Sequence, residues 1–232
     1  GLPNRKGVKM NRQTPMMKLH CISDTHTKHR ELKLPGADML VHAGDFMSSG
    51  RNLDELTDFL NWFEAQEYEH KIFIAGNHDR LLEDGGESVN NIIRDAYPSV
   101  TYLQDSSVTI NGINFYGSPW TPEFCGWAFA TQNDAEAEEK WSQIPKDTDV
   151  LITHGPAYGF LDQIDPSQAH LGCKELHKAI DGINPKLHIF GHIHGSSGVL
   201  DGYSEITTHI NASSLGEDYK FRNDNGYIEW VV

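Results

Sequence analysis

The chain has 232 residues, 33 acidic against 19 basic side chains, and a formal net charge of −14 at pH 7. That length supports one sizeable core, and the acidity excludes an extended nucleic-acid footprint, which needs many Lys and Arg contacts to phosphate. Three unpaired-looking cysteines exclude a disulfide framework or thiolate zinc site, and no apolar run reaches bilayer length, so a cytoplasmic protein without a membrane partner is expected.

Residues 1–16 carry Arg5, Lys6, Lys9 and Arg12 with almost no apolar periodicity. They are expected to be a flexible leader or cloning remnant, which leaves 17–232 as a single domain. Lys18 to Ser23 reads as the first strand, with Asp24 and His26 in the turn after it. Taken alone, Asp24 is a turn or cap aspartate and His26 a surface histidine. Met39 to Val41 forms the next strand and runs into Gly44 and Asp45. His42, inside that strand, is expected to pack or to support a neighbour. Leu53, Leu56, Phe59, Leu60 and Phe63 recur at helical spacing, so Asn52 to Tyr68 is an amphipathic helix. The strand Lys71 to Ala75 ends in Gly76-Asn77-His78-Asp79, a crowding of amide, imidazole and carboxylate that reads equally as a turn or a site.

Val89, Ile92, Ile93 and Ala96 mark a second helix that stops near Pro98. Strands follow at Val100 to Leu103, Val108 to Ile110 and Ile113 to Gly117, the last two joined at Asn111-Gly112 as a hairpin. Ser118 to Phe129 is a loop rich in rings, Trp120, Phe124, Trp127 and Phe129. Two readings stand open: a wall that stacks on substrate, or a loop sealed by its own aromatics. A helix from Asp134 to Trp141 precedes the strand Asp149 to Thr153, which ends at His154-Gly155-Pro156. Gly172-Cys173 opens a further helix, Cys173 reads as a small buried residue, and His170 and His177 as solvated or capping. Leu187 to Phe190 is a buried strand that delivers His192 and His194 to a glycine-opened turn, with His188 packed inside it. Gly195 to Gly198 reads as a flexible turn, and strands near Thr207 to Asn211 and Tyr227 to Val231 close the sheet.

Five strand ends therefore carry potential ligands: Asp24-Thr25-His26, Gly44-Asp45, Gly76-Asn77-His78-Asp79, His154-Gly155-Pro156 and Gly191-His192-Ile193-His194. In this order they resemble the five signature blocks of the calcineurin-like metallophosphoesterase superfamily, from about Lys18 to Val232. The closest likeness is to its metallophosphoesterase-domain-containing subfamily, through Tyr102 to Ser106, Tyr116 to Pro122, Gly172-Cys173 and Ile210 to Ser213. The resemblance implies an α/β fold, a two-sheet β-sandwich flanked by helices. It implies two divalent metal ions, manganese ahead of iron or zinc, one held by Asp24, His26, Asp45 and His194 and the other by Asp45, Asn77, His154 and His192. Asp45 would bridge them, His78 would donate a proton to the leaving group, and Asp79 would orient His78 and keep it protonated. The expected function is a phosphodiesterase acting on a small phosphodiester, with 3′,5′ or 2′,3′ cyclic nucleotides foremost, by in-line attack of metal-bound hydroxide. A monoester or protein phosphatase and a non-catalytic scaffold are the alternatives.

Overall fold

The computed structural model describes residues 16–202, 206–222 and 225–232. The expected leader therefore lies, except for the exposed Met16, outside the described residues. The first half of the chain forms β1 (Lys18–Ile22), β2 (Met39–His42), α1 (Leu53–Ala65), β3 (His70–Phe73), α2 (Arg80–Ala96) and β4 (Thr101–Tyr102). Next come β5 (Ser106–Ile110), β6 (Ile113–Ser118), β7 (Thr121–Pro122), β8 (Ala130–Thr131) and α3 (Asp134–Trp141). The last part supplies β9 (Val150–Thr153), α4 (Lys174–Ile183), β10 (Leu187–Phe190), β11 (Gly198–Leu200), β12 (Thr208–Asn211) and β13 (Ile228–Val231).

The strands make two large sheets, ordered β13-β1-β2-β3-β4 and β11-β12-β10-β9-β6-β5, with β7 and β8 paired separately. Within them β1 to β4 run parallel, and so do β6, β9, β10 and β12. Alternation along each strand explains the layering. Leu19, Cys21, Met39, Val41 and Ile72 meet Phe115, Val150, Ile152, Leu187 and Ile189 in a core between the sheets. The intervening residues Ile22, Leu40 and Phe73 turn outward into a second core with Leu56, Phe59, Leu60 and Phe63 of α1. Tyr116 and Leu151 do the same on the far side, against Trp141 of α3 and Leu176 and Ile180 of α4. Helix, sheet, sheet and helix thus stack in four layers, each sheet apolar on both faces. This is the expected two-sheet sandwich.

Several boundaries differ from expectation for local reasons. Helix α1 begins after the cap Asn52, whose side chain accepts the Asp54 amide, and Leu53 in its first turn stays 65% exposed. Helix α2 starts directly behind Asp79, well before its apolar spacing suggests. A break at Gly86 (φ 52°, ψ −142°) resets its register, which hid the first segment. The hairpin turn at Asn111 and Gly112 holds, with φ of 51° and 78°. Gly198 to Leu200, expected in part as a turn, is the strand β11 against β12. The ring-rich loop includes β7 and runs into β8, with which β7 pairs.

Candidate metal centre

Strands β1, β2, β3, β9 and β10 all end on one side of the sandwich, where the loops after parallel strands gather. The main chain there is bent for side-chain placement. Asp24, His26, Asp45 and His192 adopt φ of 52°, 40°, 60° and 70°, a left-handed region that non-glycine residues enter only when the surroundings hold them. Gly44 and Gly76 pack the loops together. A Cβ on Gly44 would fall 2.7 Å from His154 Nδ1, and one on Gly76 2.2 Å from Asp45 Oδ1. These glycines bring backbone close to neighbouring ligand residues.

Two sets of donor atoms converge. In the first, Asp24 Oδ1 lies 3.1 Å from His194 Nε2, the Nε2 atoms of His26 and His194 are 3.4 Å apart, and His26 Nε2 is 3.8 Å from Asp24 Oδ1. In the second, His154 Nε2 is 3.2 Å from Asp45 Oδ2 and 2.9 Å from Asn77 Oδ1, and His192 completes the group. Asp45 Oδ2 also lies 3.9 Å from His26 Nε2, so a single oxygen stands between the sets.

The surrounding contacts fix which atoms face inward. His26, His154 and His194 each turn Nδ1 to a main-chain carbonyl, of Met47, Ala43 and Gly216 respectively, and this leaves Nε2 toward the cluster. The second oxygen of Asp24 receives the Ser23 hydroxyl at 2.5 Å and the His192 amide at 2.9 Å. Burial opposes charge on both carboxylates, yet the neighbouring imidazoles, His154 foremost, hold Asp24 and Asp45 well below the usual carboxylate range. Burial likewise opposes charge on the imidazoles, but Asp45 and Asp24 raise His154 to about 10, and Asp24 raises His194 to about 9. Each set is an oxygen-and-nitrogen donor group without thiolate, with the rings of His26, His154 and His194 held in orientation, which fits a divalent cation of the borderline or hard class.

Asp79 requires a correction. Its carboxylate does not orient His78: Oδ2 accepts the amides of Asp45 and Gly76, both at 2.7 Å, and Oδ1 accepts that of Met47 at 3.0 Å. The start of α2 turns the two adjacent side chains apart. Asp79 is fully buried and ties the β2 and β3 loops together, and burial and Asp45 push its carboxyl well above the usual range. His78 instead directs Nδ1 to the Ser48 carbonyl and stacks on Trp127, with ring centroids 3.9 Å apart.

The remaining histidines support the loops. His42 Nδ1 accepts the Gly44 amide, so its Nε2 donates to Thr25 Oγ1, and burial pushes its pKa down to about 3. Behind His154, Thr153 donates to the Gly155 carbonyl and accepts from His188 Nε2, while His209 Nδ1 donates to His188 Nδ1. His170 meets the buried Asp162, and His177 donates to the Tyr158 carbonyl.

Above the two donor sets lies a cleft of about 410 Å³. His26, Asp45, Asn77, His78, His192 and His194 form its floor, with an apolar wall from Phe124, Ile164 and Leu171. The ring-rich loop divides between its two readings. Phe124 lines the cleft and is 60% exposed; Phe129 is buried, Trp120 donates to Asp105, and Trp127 backs His78. Glu123, Glu217 and Tyr219 also line the cleft and had no signal in the sequence, since Glu217 and Tyr219 lie in an irregular segment and Glu123 follows β7, a strand of only two residues.

The profile of the calcineurin-like phosphoesterase family matches residues 17–196. The chain is 40% identical over 222 residues to human metallophosphoesterase domain-containing protein 1, covering 86% of this chain and 67% of that protein. It is 38% identical over 218 residues to the UPF0046 protein K07C11.7 of Caenorhabditis elegans, covering 88% and 72%. Among solved structures, the protein TT1561 of Thermus thermophilus shares the fold with a TM-score of 0.59 at 12% identity, over 86% of this chain and 90% of that one.

Proposed function

The chain belongs to the calcineurin-like phosphoesterase family, and on that premise we propose a metal-dependent phosphodiesterase acting on small phosphodiesters, with 3′,5′ and 2′,3′ cyclic nucleotides the leading class. One observation carries the reading: a single oxygen, Asp45 Oδ2, stands between two complete donor sets at the floor of an open cleft. Asp24, His26, Asp45 and His194 would hold one cation, and Asp45, Asn77, His154 and His192 the other. When bound, such a pair neutralises phosphate charge and makes water a nucleophile near neutral pH. Manganese, iron and zinc all suit these donors, and manganese is the ion to supply first.

The side chains of the chain itself do the rest. His78, stacked on the indole of Trp127, presents Nε2 to the cleft because its Nδ1 is engaged by Ser48. It is placed to give a proton to the departing ester oxygen. Phe124, Ile164 and Leu171 offer an apolar surface to the ester substituent, as a nucleobase or aryl group requires. Among the described residues no helix is long and apolar enough to cross a membrane, and free Cys21, Cys125 and Cys173 support a reducing, cytoplasmic setting.

A manganese-loaded screen over cyclic nucleotides, bis-aryl phosphates and mono-aryl phosphates tests the proposal. Diesters are expected to be preferred, with about two metal equivalents bound, and Asp45→Asn to lower turnover at least about 100-fold in a folded protein. A strong monoester preference overturns the diester reading. No bound metal and no ester hydrolysis leaves a scaffold.

A further inference from the structure

The charges around the cleft are uneven. Among the described residues no Lys or Arg lines it, whereas Glu123 and Glu217 do. Both carboxylates are held in place. Glu123 accepts the Gly126 amide at 2.8 Å, and Glu217 accepts at 3.2 Å the amide of Gly195, the residue after His194. The cations near the rim are held by main-chain carbonyls and stay out of the lining: Arg222 donates to that of His194, Lys28 to that of Tyr219 and Arg80 to that of Gly126. Tyr219, two residues beyond Glu217 and also in the lining, sets its ring 5.3 Å from that of His26 and 5.6 Å from that of His194, so this segment stands directly over the donor atoms.

Two divalent cations facing only Asp24 and Asp45 leave a local surplus of two positive charges. A phosphodiester brings one negative charge and an ionised attacking water another, which balances that surplus. A phosphomonoester above its second pKa, about 6, brings two. Its extra charge meets Glu123 and Glu217 with no lining Lys or Arg to take it up. We propose that Glu123 and Glu217 set the charge selectivity of this cleft, favouring singly charged phosphodiesters by disfavouring a second negative charge on the bound phosphate. The inference rests on the metal-hydrolase reading above and names the residues that decide between diester and monoester.

Coulomb interaction scales with the ligand's charge, so removing one glutamate charge must help a dianion by the square of the factor by which it helps a monoanion. The test uses metal-loaded protein and its Glu123→Gln, Glu217→Gln and doubly substituted forms. Glutamine keeps an acceptor oxygen for the Gly126 or Gly195 amide, so the loops keep their ties. Titration calorimetry at pH 8 compares inorganic phosphate, mostly dianionic, with diethyl phosphate, a monoanion. For each substitution diethyl phosphate is expected to tighten about two- to threefold and inorganic phosphate about four- to tenfold, with both gains shrinking in 0.5 M salt. The ratio of kcat/KM for mono-p-nitrophenyl over bis-p-nitrophenyl phosphate should rise in parallel. Equal gains for both anions, or no gain for either, overturn the proposal. If wild type binds metal but cleaves neither ester, the diesterase reading fails, while the binding comparison still decides the role of the two glutamates.

Discussion

At Asp79 three main-chain amides occupy a single buried carboxylate, those of Asp45 and Met47 from the loop that carries Asp45 and that of Gly76 from the loop that carries Asn77. Exchange for asparagine would turn an N–H₂ group toward at least one of those amides, leaving buried donors facing each other. Asp79→Asn is therefore expected to lose about 1–3 kcal/mol of stability and about 10- to 100-fold in metal affinity, read by denaturant unfolding and metal titration. Turnover at saturating metal should fall far less. A relay through His78 would instead lower turnover at any metal concentration. The sequence marked Asp79 as part of the site but not its task, because neighbours in a chain need not face each other where a helix begins. Tyr219 and Glu217 were illegible for the opposite reason: they reach the cleft from a segment joined to His194 only by folding, through Gly195 and Arg222.

Whole elements were legible where burial on both faces leaves a continuous apolar run. That condition holds for β1, β2, β3, β9 and β10, the strands that deliver the donors, so their ends were legible in the sequence. Strands β7, β8 and β11 have two or three residues, too few to show a period, and became strands only through a partner. The first part of α2 was hidden by Gly85-Gly86, which reads as a turn and does break the helix. Open space surrounds a Cβ at Gly86, but its φ of 52° with ψ of −142° is a conformation for glycine. Gly86→Ala is accordingly expected to cost about 1–3 kcal/mol, seen as a lower urea midpoint, without loss of bound metal. A neutral or stabilising effect would mean that the helix can close through this position.

Across the molecule two sets of histidines have opposite pH dependence. His42, His188 and His209 are buried and neutral, with pKa values pushed by burial to about 3, well below normal and about 4. An unfolded chain binds their protons first, so stability falls as pH drops below about 6.5, by about 1.4 kcal/mol per pH unit for each group titrating. His154 and His194 are raised to about 10 and 9, so in protein stripped of metal their contribution is complete below about 6.5 and is lost as pH rises toward 9 and 10. Thermal unfolding of chelated protein should thus peak near pH 6 to 7, and metal should abolish the alkaline decline by displacing those two protons. An alkaline decline that persists with metal present would contradict this assignment. The parallel bridge between Ser23 and Ser213 is where the two sheets meet, and there Asp24 receives both serine hydroxyls. Asp24, Asp45 and Asn77 hang from one sheet, and His154, His192 and His194 from the other, so bound cations act as a rivet through both leaves of the sandwich. Slippage between those leaves anywhere along their length would be felt as a misfit at the ions, which makes the grip on metal a gauge of how well the whole body is assembled.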